Sequence, residues 1–383
     1  MRISLTTFFV ILAINVYSQT ARVVFPSVFT IEYNSDSHIG GIADIGSVSS
    51  LFYPEVGLFQ NPALLSTNLE YAGINISYMP VWLTMVFDVN IASVNGFYAI
   101  DKKNVIAYTF SRFSFGETSF TDEFGQKIVK TIHPIESYHQ FSYSGAISNY
   151  VSLGIGIKLI DSDMGDGIKT NTFAFDLGFS YRKKYSISKQ IDLNANFGSS
   201  INNLGPKVSY DDGNTHNFIP TNLKMGALVN PEYRMSNKFN LNWECVLQLE
   251  KDLLPSMPFY ASDNNQLIIK GYNPDISSLR ALYQSFYDSP EGFEGELKEI
   301  RYKLGTELRA NYDNKFYLAL RCGKYNVTSM YRDEYFTTGI GLGLFGFSLD
   351  FKSVKPYQTD GPISNYALTL GYRLNLDGQS FRF

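Results

Sequence analysis

The residues of this chain that could do chemistry are few and scattered. The four histidines are His38, His133, His139 and His216. None stands at a metal-ligand spacing from another histidine or from a cysteine, and neither does the Cys245/Cys322 pair. There is no Gly-x-Ser-x-Gly and no phosphate loop. A Ser-His-Asp triad is defined by geometry and not by spacing, so the sequence leaves one open. The carboxylates Asp176, Asp192, Glu244, Glu250, Glu307 and Asp350 fall on one face of alternating segments. Lys158, Arg182, Lys224, Arg301, Lys303, Arg309, Lys352 and Arg373 fall on the same face. Mutual ion pairing accounts for such a set more simply than catalysis, because buried charges need partners. The expectation is no enzyme, no metal and no cofactor.

The elements that carry these charges alternate with a period of two. In Lys169–Arg182, Asn171, Phe173, Phe175, Leu177, Phe179 and Tyr181 alternate with Thr172, Ala174, Asp176, Gly178, Ser180 and Arg182. In Tyr150–Ile160, Val151, Leu153, Ile155, Ile157 and Leu159 alternate with Ser152, Gly154, Gly156 and Lys158. Successive strand side chains point to opposite faces, so one face suits hydrocarbon and the other water or packed polar groups. Aromatics make up 15 % of the 383 residues and charged residues 18 %, while mean hydropathy is −0.11. A helical membrane protein would show several apolar runs of about 18 residues or more; past the N-terminus there are none. The composition fits an all-β, transmembrane antiparallel β-barrel.

Fourteen alternating segments are expected, an even number as single-chain barrels require. They are 69–79, 88–100, 104–121, 137–148, 150–161, 169–182, 190–201, 220–229, 238–250, 300–312, 315–325, 335–345, 346–354 and 365–376. Their connections alternate between short and long. The short set includes 101–103, 149, 183–189, 230–237, 313–314 and the Phe345-Gly346 junction. The long set includes 122–136, 202–219, 251–299, 326–334 and 355–364. Outer-membrane barrels have short periplasmic turns and longer outside loops. A soluble sandwich with one wet side also alternates, but does not predict one-sided loop lengths. Cys245 and Cys322 fall on the lipid face and are expected to be free thiols.

The N-terminus reads as a secretory signal over residues 1–18. Arg2 is the positive end, Leu5 to Val16 the apolar stretch, and Val16-Tyr17-Ser18 the cleavage site. Losing Arg2 takes the formal charge of −4 to −5, with no basic excess for nucleic acid. Residues 19–66 are expected to form an N-terminal segment and lumen plug, and 67–383 the barrel. The plug motif is Asn61, Pro62 and Ala63, within a Gly40–Ser66 segment carrying Leu51, Phe52, Tyr53, Leu58 and Phe59. A periplasmic linker is the alternative, but it would leave those apolar groups in water. In the longest loop, Ile276, Leu279, Leu282, Tyr283 and Phe286 recur at helical spacing, followed by Tyr287, Phe293, Leu297 and Ile300. They form either a cap over the barrel mouth or a partner-docking surface; docking would use Leu279, Leu282, Tyr283, Phe286, Tyr287 and Phe293.

Several motifs in order resemble the PorV family of type IX protein secretion. They are Gly40-Gly41-Ile42-Ala43-Asp44-Ile45-Gly46 followed by Asn61-Pro62-Ala63, then Gly116-Glu117-Thr118-Ser119-Phe120-Thr121-Asp122. Next come Asn203-Leu204-Gly205-Pro206 and Ile219-Pro220-Thr221-Asn222, then Lys251-Asp252-Leu253-Leu254-Pro255. Gln284 to Phe293 with Glu296 to Ile300, and Tyr335-Phe336-Thr337-Thr338-Gly339, complete the set. The sequence departs from the family pattern at Met257–Gly271 and Asn326–Asp333. The resemblance implies a fourteen-stranded barrel of the FadL superfamily in the cell outer membrane, in contact with its lipid. It implies a non-enzymatic role: binding secreted cargo by its C-terminal signal domain, at a Sov/SprA-type translocon barrel, and passing it to a PorU-type sortase. The competing readings are a FadL-like transporter of hydrophobic small molecules and a lipid A deacylase-type enzyme. The latter needs a nucleophile–base pair at the outer rim, and the sequence nominates none.

Overall fold

A computed structural model describes residues 23–49, 60–67, 72–81, 88–121, 127–211, 213–261, 264–313, 315–326, 334–356 and 365–374. The expected signal peptide and the plug residues Leu51, Phe52, Tyr53, Leu58 and Phe59 lie outside them. A short helix α1 (Ser37–Gly41) and a 3-10 turn (Pro62–Thr67) precede the strands. Then follow β1 (Ala72–Pro80), β2 (Val89–Ala99), β3 (Asn104–Phe115), a small hairpin β4 (Thr118–Thr121) and β5 (Lys127–Ile132), β6 (Ile135–Ala146), β7 (Val151–Asp163), β8 (Lys169–Ser186), β9 (Ile191–Leu204), β10 (Asn222–Arg234) and β11 (Phe239–Asp252). The long loop holds a second small hairpin, β12 (Phe259–Ala261) and β13 (Asn264–Lys270), and the helices α2 (Ser278–Gln284) and α3 (Phe293–Lys298). The chain ends in β14 (Ile300–Tyr312), β15 (Phe316–Asn326), β16 (Tyr335–Leu344), β17 (Phe347–Pro356) and β18 (Asn365–Leu374).

Fourteen of these strands close into one antiparallel barrel, ordered β1-β18-β17-β16-β15-β14-β11-β10-β9-β8-β7-β6-β3-β2. Closure runs from Ala72↔Leu374 to Tyr78↔Leu368, so neither end strand keeps a free edge. Each expected segment overlaps one barrel strand. The faces also follow the alternation: Phe173 and Leu177 are exposed while Ala174, Asp176 and Ser180 are buried. Cys245 and Cys322 are free, on the outer wall, each cross-strand from Thr306.

The differences lie at strand ends. The expected 104–121 segment breaks at Gly116, whose φ of +81° turns the chain into the hairpin. β8 and β10 run to Ser186 and Arg234, past the expected ends at 182 and 229. There the outer face mixes Lys183, Tyr185, Pro231 and Tyr233, so apolar alternation fades although pairing continues, as in Glu232↔Asp192. The turns shrink accordingly, and Phe345 (φ 50°) with Gly346 (φ 88°) makes a two-residue hairpin.

Four of the short turns follow one design. Ser148, Ser188, Ser236 and Asp101 each accept, through a side-chain oxygen, the amides two and three residues on. Such side chains satisfy turn N–H groups the ladder leaves over. The residues before them, Ile147, Ile187, Met235 and Ile100, are exposed on the outer wall.

Candidate functional site

The lumen is occupied by the N-terminal segment. Asp36 caps α1 by accepting the His38 and Ile39 amides at 2.9 Å. The Ser37 amide donates to Thr369 Oγ1 at 2.8 Å and the Ala43 amide to Thr337 Oγ1 at 2.9 Å. The Gly46 and Ser47 amides share Gln248 Oε1, at 3.2 and 3.0 Å. Asn61 is fully buried: its Nδ2 donates to the Ser47 carbonyl at 2.7 Å and the Phe179 carbonyl at 3.0 Å, and its Oδ1 accepts the Ala63 amide at 3.1 Å. Pro62 opens the 3-10 turn, where its missing N–H costs nothing. The wall admits this backbone because the facing residues are glycines. A Cβ on Gly178 would strike Asn61 Oδ1, and one on Gly198 the Ser47 carbonyl.

Around the plug several of the expected lumen charges meet in pairs. Lys158 Nζ lies 2.8 Å from Asp176. Glu250 joins Lys303 and Arg301, each at 2.9 Å. Arg321 of β15, absent from the expected set, bridges Glu307 at 2.5 Å and Asp350 at 2.6 Å. His38 Nε2 sits 3.4 Å from Glu307. Its long sequence separation from β14 hid it; only the plug brings them together. His139 is on the outer wall, bonded to the Tyr108 hydroxyl at 2.7 Å, and His133 and His216 are exposed in loops. Among the described residues no group of histidines, cysteines and carboxylates could hold a metal.

At the long-loop end the chain between β11 and β14 folds over the mouth with its amphipathic character inverted. Inside are Gln284, Ser285, Asp288, Glu296 and Glu299, all buried. Lys251, from the end of β11, reaches Glu299 at 2.6 Å and Glu296 at 3.0 Å. Ser256 donates through Oγ to Glu299 at 2.5 Å and through its amide to Asp288 at 3.2 Å. Burial pushes the Glu299 carboxyl up to about 7 against the pull of Lys251, which it shares with Glu296. Burial raises Asp288 as well. Outside stand the aromatics: Leu279 is 69 % exposed, Tyr283 57 %, Phe286 and Tyr287 50 % each, and Phe293 77 %. Leu282 is the exception among the expected docking residues. It is half-buried beside fully buried Ala281, which packs on Phe218 and Leu254. The start of the plug segment is anchored here too, through the Val23↔Ser256 bridge and the Val24 amide on the Pro255 carbonyl.

A closed, fourteen-stranded barrel with an apolar outer wall and a plugged, charged lumen is an outer-membrane β-barrel. A family model described as "Type IX secretion system protein PorV" matches residues 16–258, more than half of the chain. The chain belongs to the PorV family and is an outer-membrane component of type IX secretion. The match ends before α2 and α3, so the resemblance expected over Gln284–Ile300 lies beyond it. No curated protein matches. Among solved structures, the toluene transporter TodX of Pseudomonas putida shares 8 % identity over 92 % of this chain and 98 % of its own, with a TM-score of 0.44. A FadL homologue of Pseudomonas aeruginosa shares 9 % over 92 % and 99 %, with a TM-score of 0.41. The fold rests on the strand topology and needs no support from likenesses this distant.

Proposed function

We propose that this chain is a non-enzymatic carrier within the secretion machine. It binds cargo through the cargo's C-terminal signal domain at a Sov/SprA-type translocon, and presents it to a PorU-type sortase. The observation that carries the reading is the inverted loop. A mere cap would turn its aromatics inward onto the barrel mouth, whereas here the carboxylates face in and Leu279, Tyr283, Phe286, Tyr287 and Phe293 face out. Exposed aromatic clusters of this kind supply the anchors of protein interfaces. The transporter alternative needs a continuous apolar path through the lumen. Lys158–Asp176, Glu250–Lys303 and Arg321–Glu307 stand across that path instead.

The test is the double substitution Tyr283→Ala with Phe286→Ala. The barrel should still assemble and migrate heat-modifiably, but translocon or sortase should no longer co-purify, and cargo should accumulate unreleased. Wild-type levels of surface cargo in an assembled variant would refute docking by these residues.

A further inference from the structure

The outer wall ends, at the short-turn side, in a ring of aromatic side chains. Tyr98, Tyr150, Tyr185, Tyr233, Tyr312 and Phe347 are all exposed there. Belts of this kind lie at the level of the lipid headgroups. Just beyond the ring, on four different turns, stand Lys102 and Lys103, Lys189, Lys238 and Lys315, each exposed. Lys315 pairs with Asp313 at 3.1 Å. Lys102, Lys103, Lys189 and Lys238 form no ion pair with any described residue. The one carboxylate on their turns, Asp101, accepts the Lys103 and Asn104 amides and Asn104 Nδ2 at 2.7–2.8 Å and offsets one of these four charges. Slightly higher, Lys183 lies 4.9 Å over the Tyr185 ring. Lys184 and Arg234 differ, for both pair with Asp192, at 2.9 and 2.5 Å, and Lys184 pairs with Glu232 as well, at 3.3 Å.

This local positive excess runs against a chain of net charge −4. The opposite end has more carboxylates: Asp161, Asp163, Asp166, Asp211, Glu291 and Glu294 lie on its loops and strand ends, with Asp163 paired to Lys169 at 2.6 Å and Glu291 and Glu294 sharing Lys298 at 2.8 and 3.4 Å. The lysines follow an arc of the rim, on the consecutive β8–β9, β10–β11 and β14–β15 turns and on the β2–β3 turn past β6–β7, and are not gathered into a groove. They stand just beyond the aromatic belt, so their long stems can lie back along it while the ammonium groups sit at headgroup depth. A globular acidic partner would call for a compact patch, whereas a long arc at headgroup depth matches the annulus of lipid.

We propose that this collar binds the phosphate headgroups of anionic phospholipids in the inner leaflet of the outer membrane. A basic residue near a membrane surface favours anionic lipid by roughly fivefold at most, and the effect falls off within a Debye length.

The probe is spin-labelled phosphatidylglycerol against spin-labelled phosphatidylcholine, each with the full-length barrel in phosphatidylcholine vesicles. The immobilised fraction should favour phosphatidylglycerol by roughly two- to fivefold at low salt. The preference should shrink towards unity as salt rises to about 0.5 M. It should vanish in the combined Lys102→Ser, Lys103→Ser, Lys189→Ser and Lys238→Ser variant, and persist in Lys169→Ser with Lys270→Ser at the other end. Equal association in the wild type overturns the proposal, as does a preference that survives the fourfold variant. So does a variant that loses an acidic periplasmic protein but keeps its lipid selectivity. Should the fourfold variant fail to assemble, the wild-type salt series decides alone, and a salt-independent preference refutes the collar.

Discussion

Lys251 is one cation facing two carboxylates, Glu296 and Glu299, in a site sealed by α2 and α3. With Glu299 pushed up to about 7, the folded loop binds its proton more tightly than the unfolded chain does. Stability of the cap is therefore fully present below the ordinary carboxyl value of 4.5 and is lost as pH rises through about 7, by up to about 3 kcal/mol. We expect amide exchange in 278–299, corrected for intrinsic rate, to be slower at pH 5 than at pH 8, and Glu299→Gln to flatten the difference; equal protection at both would dismiss the linkage. Asn61 is the second residue on which much depends. Asn61→Ala removes two donated bonds and one accepted bond inside the lumen, costing about 1–3 kcal/mol locally. Greater entry of a normally excluded antibiotic is the expected sign of a loosened plug. The sequence displayed both residues by type but not their partners. Which carboxylate meets which lysine depends on register between strands far apart in the chain, and no single-strand pattern encodes it.

Strands were the most legible elements, because lipid on one side and packed polar groups on the other force a strict alternation. The loop was legible only by half. Helical spacing marked the apolar residues of α2, and the usual rule would turn them inward. The buried side was instead filled by Gln284, Asp288 and Glu299, since Lys251 and Ser256 wait there. The hairpins β4–β5 and β12–β13 are too short to produce a period. The turn design shared by Asp101, Ser148, Ser188 and Ser236 was present in the sequence but hidden, as one oxygen-bearing residue per turn is too thin a repeat to see. Register in β8 can be tested directly. Phe175 faces lipid in part and Asp176 is fully buried beside Lys158. Phe175→Arg should weaken insertion by about 2–4 kcal/mol near the midplane. Ser180→Ala, on the buried lumen face of the same strand, should leave insertion far less affected. Equal folding yields for the two in lipid vesicles would mean a slip of one residue, which exchanges the faces.

The whole molecule is two-sided. Among the described residues, the connections between barrel strands on one end are tight turns, and the other end carries the hairpins, α2, α3 and the tether of the plug segment at Val23. Barrels of this class keep their long loops outside, which sets Leu279, Tyr283 and Phe293 on the cell surface and the lysine turns in the periplasm. The plug then hangs from the outside, because its first described residue pairs with Ser256 in the capping loop and its later residues descend to Ser144 near the turns. A partner pressing on α2 acts on the same layer that holds Val23 and Val24, since Ala281, Phe218 and Leu254 form one cluster with them. Sidedness can be read with single cysteines in a chain whose lipid-facing Cys245 and Cys322 are changed to Ala. Arg280→Cys, on the exposed side of α2, should react on intact cells with a membrane-impermeant maleimide. Lys102→Cys should react only after the outer membrane is opened. Labelling of Lys102→Cys alone on intact cells would turn the barrel over, put the aromatic loop in the periplasm, and remove it from any handover at the surface.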